Sequence, residues 1–212
     1  GHDPDSVELS TLGGWIATNA SGMKKNKYGN IEEIVLEASL VTPTGAVETY
    51  SVTPRNSTGV QAKSFLFGSE GNLGIITKAI LKIHPLPEVR QYGMLIFPTF
   101  EKGVEFLKAL RQTGVLPASI RLVNNNEFRF GKALKPEPTR RKAIKERFQE
   151  SVLEHVFKFD GKKMVACTIV MEGSQAEVKQ QEKAIFRLGK TFGGISAGES
   201  NGKRGYMLTF GI

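Results

Sequence analysis

The chain has 212 residues, of which 40% are hydrophobic and 24% are charged, and its formal net charge is +8. This length suffices for one large domain or two small ones, and the apolar content excludes a wholly disordered chain. No apolar run approaches the ~20 residues that a membrane-spanning helix requires, and a single cysteine, Cys167, excludes an internal disulfide.

The first part of the chain predicts a turn-rich segment, a hairpin and one further strand. Residues 1–30 are rich in glycine and turn-forming residues. Apolar and polar side chains then alternate along 34–41, and a Pro-Gly turn leads to a second strand, roughly 46–52. A polar loop over 53–62 precedes a third alternating run, 75–83.

Two prolines within His84–Pro87 predict a domain boundary, which separates residues 1–87 from residues 88–212. Beyond it, predicted strands and helices follow one another in an order typical of an α+β domain with an antiparallel or mixed sheet. The predicted strands are 92–97, 117–123, 163–171 and a last strand after Arg204; the predicted helices start near Phe100, near Ile144 and at a capping box formed by Ser174 and Glu177, the last one ending at Gly193–Gly194.

Two glycine-rich clusters carry the candidate chemistry. We call Ser10–Gly22 (STLGGWIATNASG) the first glycine loop and Gly68–Ile76 (GSEGNLGII) the second glycine loop. Glycine lets the backbone approach a ligand closely and point its N–H groups at phosphate oxygens, and hydroxyl side chains add donors. Tight turns around a small helix explain the first loop equally well. Neither loop matches the dinucleotide fingerprint G-x-G-x-x-G, which disfavours a Rossmann fold. The hydroxyl donors of the first loop are Ser10, Thr11, Thr18 and Ser21.

Gly68–Thr77 resembles the flavin-contacting segment of the vanillyl-alcohol-oxidase family, and Gly13–Gly22 resembles the other conserved loop of that family. The predicted hairpin lies between the two loops, as it does in the family. The resemblance implies FAD as the cofactor. It also implies that residues 1–87 are the C-terminal part of a PCMH-type FAD-binding domain and that residues 88–212 begin an α+β cap, or substrate-binding, domain.

The family's FAD contacts, transferred motif by motif, fall on three segments of this chain. The first two suit the pyrophosphate and the edge of the flavin ring, and the third suits the adenosine or ribityl side. Scattered histidines that adjoin no cysteine give no metal-ligand spacing, so no metal is expected. The implied FAD contacts are Asp5, Ser6, Val7, Glu8, Leu9, Ser10, Thr11, Gly13, Gly14, Thr18, Asn19, Ala20, Ser21, Glu70, Gly71, Asn72, Leu73, Gly74, Ile75 and Ile76.

Further segments extend the resemblance over nearly the whole chain and favour the subfamily that forms the ether bond of ether lipids. That subfamily implies a reaction of acyl-dihydroxyacetonephosphate with a long-chain alcohol to give alkyl-dihydroxyacetonephosphate and a fatty acid. The flavin then acts as an electron sink for the substrate carbon, with no net redox change. A peroxisome or a related organelle, the glycosome, is the implied location. The segments are 1–6, 20–26, 117–122 and 201–206.

Asn19 departs from this subfamily, because some of its members carry arginine at that position. Asparagine there is common in the wider family, including D-lactate and glycolate dehydrogenases. Asn19 therefore counts against the match to this subfamily and leaves the flavin prediction unchanged.

Arg121 is the candidate catalytic residue of this chain. It interrupts an apolar strand, and a buried guanidinium would require a partner. An internal salt bridge is one interpretation; the other is that Arg121 faces the flavin or holds the substrate phosphate. The resemblance implies that the family's first FAD loop lies before Gly1 and its catalytic tyrosine and histidine cluster after Ile212. The 212 residues alone are therefore expected to be inactive.

Several other side chains have a structural interpretation beside a functional one. Lys24 and Lys25 fit a solvated surface, with contact to the FAD phosphates as the alternative. Trp15 fits packing, with stacking on the flavin as the alternative. Cys167 lies in an apolar run and fits a buried small hydrophobe.

Acyl-dihydroxyacetonephosphate and a fatty alcohol are the expected partners; peripheral membrane association and a homodimer are compatible with the resemblance, and nucleic acid is not expected. Two alternatives stay open. One is an FAD-dependent dehydrogenase for a D-2-hydroxy acid such as D-lactate or glycolate, on the same scaffold. The other is a basic module that binds nucleic acid or an anionic membrane surface; it uses the positive charge but leaves both glycine loops unexplained.

Overall fold

The computed structural model describes residues 1–48, 53, 57–134, 157 and 159–208. The chain forms two compact units, Gly1–Leu86 and Pro87–Leu208, and each contains its own antiparallel sheet. The α+β prediction is confirmed. Within the described residues, helices of the length and apolar character needed to span a membrane are absent.

The first unit packs short helices on a three-stranded sheet of order β2-β1-β3. The hairpin is confirmed, since Thr42 pairs with Gly45 across its turn. β2 ends earlier than predicted, and residues 49–52 of that prediction lie outside the described residues. The elements are α1 (Leu12–Ala17), α2 (Lys25–Tyr28), α3 (Ile31–Ile34), β1 (Val35–Thr42), β2 (Gly45–Val47), a 3-10 helix (Ala62–Phe65) and β3 (Ile75–Leu81).

The core of the first unit lies between α1, α3 and the sheet. Trp15 packs against this core, and its indole Nε1 donates to the Ser10 hydroxyl at 2.7 Å. The packing interpretation of Trp15 is therefore confirmed. The buried core residues are Ile16, Ile31, Val35, Ala38, Leu40 and Leu66.

The second unit has a four-stranded sheet of order β5-β6-β4-β7. Every residue of β6 is buried, which fits a central strand covered on both faces. The elements are β4 (Val89–Phe97), α4 (Phe100–Thr113), β5 (Ser119–Val123), α5 (Asn125–Ala133), β6 (Val165–Gly173), α6 (Gln175–Thr191), β7 (Ile195–Ser196) and α7 (Glu199–Met207).

The two faces of this sheet are packed differently. On one face, α4 and α6 cover a core that includes Leu95, Phe106 and Ile169. Cys167 lies on this face with no exposed surface, and burial raises the pKa of its thiol to about 12. A thiol in that state is inert, so Cys167 is a packing residue. On the other face, α7 lies directly on β4 and β6.

Helix ends in the second unit follow local sequence signals. Ser174 and Glu177 form the predicted capping box, and Gly193 adopts a left-handed conformation (φ 78°) just after α6. Asn124 and Glu127 form a second capping box at the start of α5. This helix was not predicted, although an N-cap residue followed three residues later by Glu is the same sequence signal as at Ser174.

One predicted element is wrong. Residues 205–207, where the strand expected after Arg204 would begin, belong to helix α7, because a short apolar stretch does not distinguish a strand from a helix by periodicity; residues 209–212 lie outside the described residues. The helix predicted near Ile144 lies outside the described residues.

Candidate functional site

The three predicted FAD segments of the first unit meet around α1. The backbone N–H of Glu70, in the second glycine loop, donates to the Ala17 carbonyl at the end of α1 at 2.9 Å. The segment Asp5–Thr11 is held by the bond from Trp15 to Ser10. One short helix therefore links segments that are about 60 residues apart in sequence.

Hydroxyl groups of the first glycine loop are partly used within the protein. Ser10 Oγ donates to the Ser6 carbonyl at 3.0 Å, and Thr18 Oγ1 donates to the Gly14 carbonyl at 2.8 Å. A hydroxyl has one hydrogen to donate, so in this conformation Ser10 and Thr18 use theirs within the protein, and their role as phosphate donors stays a prediction. Thr11 Oγ1 accepts from the Gly14 N–H at 3.1 Å and keeps its own hydrogen.

Strained backbone coincides with the predicted cofactor segments. In the described part of the chain, the non-glycine residues with positive φ are Ser6 (53°), Asn19 (51°) and Glu70 (48°). One falls in each of the three predicted FAD segments. Such conformations cost of order 1 kcal/mol each and cluster where backbone is shaped around a ligand.

Asn19 has a structural role that accounts for its residue type. The N–H of Asn19 donates to the Ile16 carbonyl at 3.1 Å, and that of Ala20 donates to the Trp15 carbonyl at 2.9 Å. This pair of bonds is the Schellman ending of α1, and asparagine tolerates the left-handed conformation that the motif requires. Asparagine at position 19 is therefore compatible with this geometry of the first glycine loop.

The residues present fit a flavin cofactor. A Cβ atom built on Gly68 or Gly71 meets nothing within 4 Å, so the second glycine loop has open space beside its backbone. Glu70 and Asn72 are exposed there, and a carboxylate or amide oxygen is a suitable acceptor for ribose hydroxyls. Thr11 keeps its hydroxyl hydrogen and Ser21 is exposed, so both hydroxyls suit the phosphate oxygens of such a cofactor.

Lys24 and its neighbour Lys25 differ in burial. Lys24 is 3% exposed, and its Nζ lies 3.0 Å from Asp3 Oδ2. The solvated-surface interpretation is therefore wrong for Lys24 and confirmed for Lys25, which is exposed, and contact with the FAD phosphates stays a prediction. A buried ammonium requires such a carboxylate, which the sequence places 21 residues away.

His2 lies beside the first glycine loop. Its ring is edge-on to Trp15, with 5.5 Å between ring centroids. Both ring nitrogens are buried, and neither has a hydrogen-bond partner among the described residues. Burial lowers the pKa of the imidazole below its usual 6.5, an effect that outweighs the opposite influence of Asp3. Folding therefore favours the neutral form of His2.

We expect this shift to make stability depend on pH. Below pH 6.5 the unfolded chain binds a proton at His2 more readily than the folded chain does. The contribution of His2 to the free energy of unfolding is therefore fully present above pH 6.5 and decreases as the pH falls below it. Urea unfolding of the protein and of His2→Phe, which keeps the ring but does not titrate, measures this at several pH values. If the difference in free energy of unfolding between the protein and His2→Phe stays constant from about pH 5 to 8, the expectation is contradicted.

In the second unit, Arg121 lies on β5 and is exposed, so the assumption that it is buried is wrong. Exposure removes the desolvation cost that would make an internal partner obligatory. Its register partner is Thr168 on β6, and the next strand places Met94 beside Thr168. Arg121 therefore points to the sheet face that carries α7, away from the core around Cys167. Its catalytic role stays a prediction.

A buried carboxylate on the same face was missed. Glu172 is 1% exposed, and its Oε1 accepts from Arg90 Nε at 2.5 Å. Next to this pair, the rings of Tyr92 and Tyr206 lie 5.8 Å apart. The signal in the sequence was an acid at the end of an apolar strand. Groups of three or more metal-binding side chains are absent from the described residues.

Comparison with protein families gives two matches. Residues 1–51 match the model of an FAD binding domain, and residues 86–205 match the model of the C-terminal domain of FAD linked oxidases. The second match alone covers more than half of the chain.

Individual relatives cover the whole chain. It is 42% identical to an alkyldihydroxyacetonephosphate synthase of Caenorhabditis elegans, over 100% of the chain and 36% of that protein. A solved structure described as alkyldihydroxyacetonephosphate synthase superimposes with a TM-score of 0.82 at 35% identity, over 99% of this chain and 38% of the other. The chain thus spans about a third of the length of the relatives it matches.

Dehydrogenases of the same scaffold are more distant. A D-lactate dehydrogenase of Archaeoglobus fulgidus is 32% identical over 62% of this chain and 30% of that protein. The synthases match 95–100% of this chain and the D-lactate dehydrogenases 41–62% of it, so the likeness to the synthases extends over more of the chain. Both matched models belong to flavin enzymes, and the chain is a member of the FAD-linked oxidase family, whose cofactor is FAD.

Proposed function

We propose that this protein is an FAD-dependent synthase that forms the ether bond of ether lipids. The reaction joins a long-chain alcohol to acyl-dihydroxyacetonephosphate and releases a fatty acid. The observation that carries the proposal is that the synthases match 95–100% of this chain, whereas the D-lactate dehydrogenases match 41–62% of it.

The residues of this chain have defined parts in that reaction. When bound, FAD supplies an electron sink for the substrate carbon. Backbone N–H groups of the first glycine loop, with Thr11 and Ser21, would hold the pyrophosphate, and Glu70 in the second glycine loop would accept from a ribose hydroxyl. Arg121, exposed on its sheet, stabilises negative charge on the flavin or on the substrate phosphate.

The full-length protein tests this proposal. Purified protein should show flavin absorbance and should convert acyl-dihydroxyacetonephosphate and a labelled fatty alcohol into the ether product. D-lactate or glycolate should leave the flavin oxidised under anaerobic conditions. Reduction of the flavin by either acid, without ether formation, would favour the dehydrogenase; steeply salt-dependent binding to DNA without flavin would favour the basic module.

Substitution Arg121→Lys in the full-length protein should lower turnover at least about tenfold and leave flavin content unchanged, because an ammonium cannot make the bidentate contact of a guanidinium. Arg129→Lys, an exposed position on α5, is the matched control and should keep full activity. Normal turnover in Arg121→Lys would argue against bidentate recognition.

Location and assembly are part of the proposal. The family resemblance supports a peroxisome or glycosome, peripheral association with a membrane, and a homodimer. Imaging of the tagged full-length protein tests the location. Flotation with vesicles tests membrane association, and analytical ultracentrifugation tests the homodimer. A diffuse cytosolic signal, no flotation or a monomer would each overturn the corresponding statement.

A further inference from the structure

Lys63 makes an unusual contact with strand β1. It lies in the 3-10 helix Ala62–Phe65, is half-buried, and extends its ammonium to two carbonyl oxygens that are consecutive in sequence. Its Nζ lies 3.1 Å from the Val35 oxygen and 3.0 Å from the Leu36 oxygen.

A bulge in β1 makes this contact available. Successive carbonyls of a regular strand point to opposite sides, so one ammonium does not reach both. β1 is irregular at this place: Val35 pairs with Leu81 and Glu37 pairs with Ile80, which leaves Leu36 as an extra residue. Such an extra residue turns the local backbone, and two adjacent oxygens then face Lys63.

The second glycine loop is held to the same strand beyond this contact. Leu66 is buried in the core of the unit, and the Ser69 N–H donates to its carbonyl at 3.2 Å. At the other end of the loop, Gly74 lies so close to β1 that a Cβ on it would collide with the Val41 carbonyl. Lys63 therefore fixes the 3-10 helix that precedes the loop to β1 near Val35, and Gly74 lies against β1 near Val41. The bond from Glu70 to Ala17 holds the loop between these two points.

We propose that Lys63 is a positioning residue for the cofactor: its ammonium locks the bulge of β1 and thereby holds the second glycine loop in the conformation that receives FAD. The inference rests on the proposed flavin function of that loop. Lys63 itself precedes the loop and is outside the three predicted FAD segments. Its effect on the cofactor is exerted through the backbone of Gly68–Ile76.

The test uses the full-length protein and the variants Lys63→Met, Lys63→Arg and Lys78→Met. Lys63→Met should weaken FAD binding at least about tenfold in a fluorescence titration, because it removes two charge-assisted hydrogen bonds. Lys63→Arg keeps two donors and should stay within about threefold of the wild type. Lys78, exposed on β3 of the same sheet, is the control, and its methionine variant should bind FAD normally.

A second measurement does not require flavin. Hydrogen exchange of the apoprotein should show faster exchange of the Ser69, Glu70 and Asn72 amides in Lys63→Met than in the wild type, since these amides are hydrogen-bonded in the loop. Wild-type exchange and wild-type FAD affinity in Lys63→Met would overturn the proposal. A lower thermal midpoint of Lys63→Met, with amide exchange and FAD affinity both unchanged, would also overturn the proposal, because Lys63 would then have a purely structural role. A wild-type protein without flavin would refute the flavin function, and amide exchange would then decide the role of Lys63 alone.

Discussion

Replacing Gly202 by alanine should lower the free energy of unfolding by about 3 kcal/mol, the upper end of the usual cost of overpacking. Gly202 lies in α7, and a Cβ atom on it would collide with backbone atoms of Gly93 in β4. A side chain can rotate away from such a collision, but the backbone of a paired strand cannot. The helix must therefore move off the sheet and expose the face that it covers.

Urea unfolding of Gly202→Ala and of Lys203→Ala separates this effect from a general change in the helix. Lys203 is the next residue of α7 and is exposed, so its alanine variant should unfold within about 0.5 kcal/mol of the wild type. If Gly202→Ala were as stable as that control, the close approach of α7 to β4 would be contradicted.

Replacing Gly71 by valine in the full-length protein should remove most of the bound flavin, to about a tenth of the wild-type content or less. Gly71 has φ 83°, a conformation that a β-branched residue adopts only with strain, and open space lies beside it. The valine side chain would distort the loop and fill the space that we assign to the cofactor. Absorbance of the purified protein, expressed as flavin per protein, is the measurement.

Gly114→Val is the matched control for that variant. Gly114 ends α4 with φ 72° and also has nothing within 4 Å of an added Cβ, so the backbone strain is similar. The control should lose stability and retain flavin. Normal flavin content in Gly71→Val would refute the assignment of the second glycine loop, and equal losses in both variants would attribute the effect to instability.

The basic excess of the chain is not gathered at the predicted cofactor segments. Those segments contain Asp5, Glu8 and Glu70 and have no lysine or arginine. Within these segments, backbone N–H groups and hydroxyls are therefore the groups that could stabilise a pyrophosphate, as in a glycine-rich anion site. The net charge of +8 therefore affects solubility and the rate of encounter with anionic partners more than it affects these segments.

Local patterns in the sequence determined most of the regular structure. Alternation along 34–41 and 75–83 corresponds to β1 and β3, and the capping box at Ser174 marks the start of α6, because strand faces and helix caps depend on neighbours within a few residues. The two glycine loops could be recognised for the same reason, since their motifs are contiguous.

Tertiary structure alone decided the state of individual side chains. Lys24 is buried because Asp3 is folded against it, and Arg121 is exposed because of the position of its strand in the sheet. Thr18 donates its hydroxyl hydrogen to Gly14, although its residue type suggested a phosphate donor. These states depend on contacts between distant parts of the chain or on the direction of a single bond, and no local pattern encodes them. The sequence thus predicted which loops bind the cofactor, and the fold decided how their side chains are bonded within the protein.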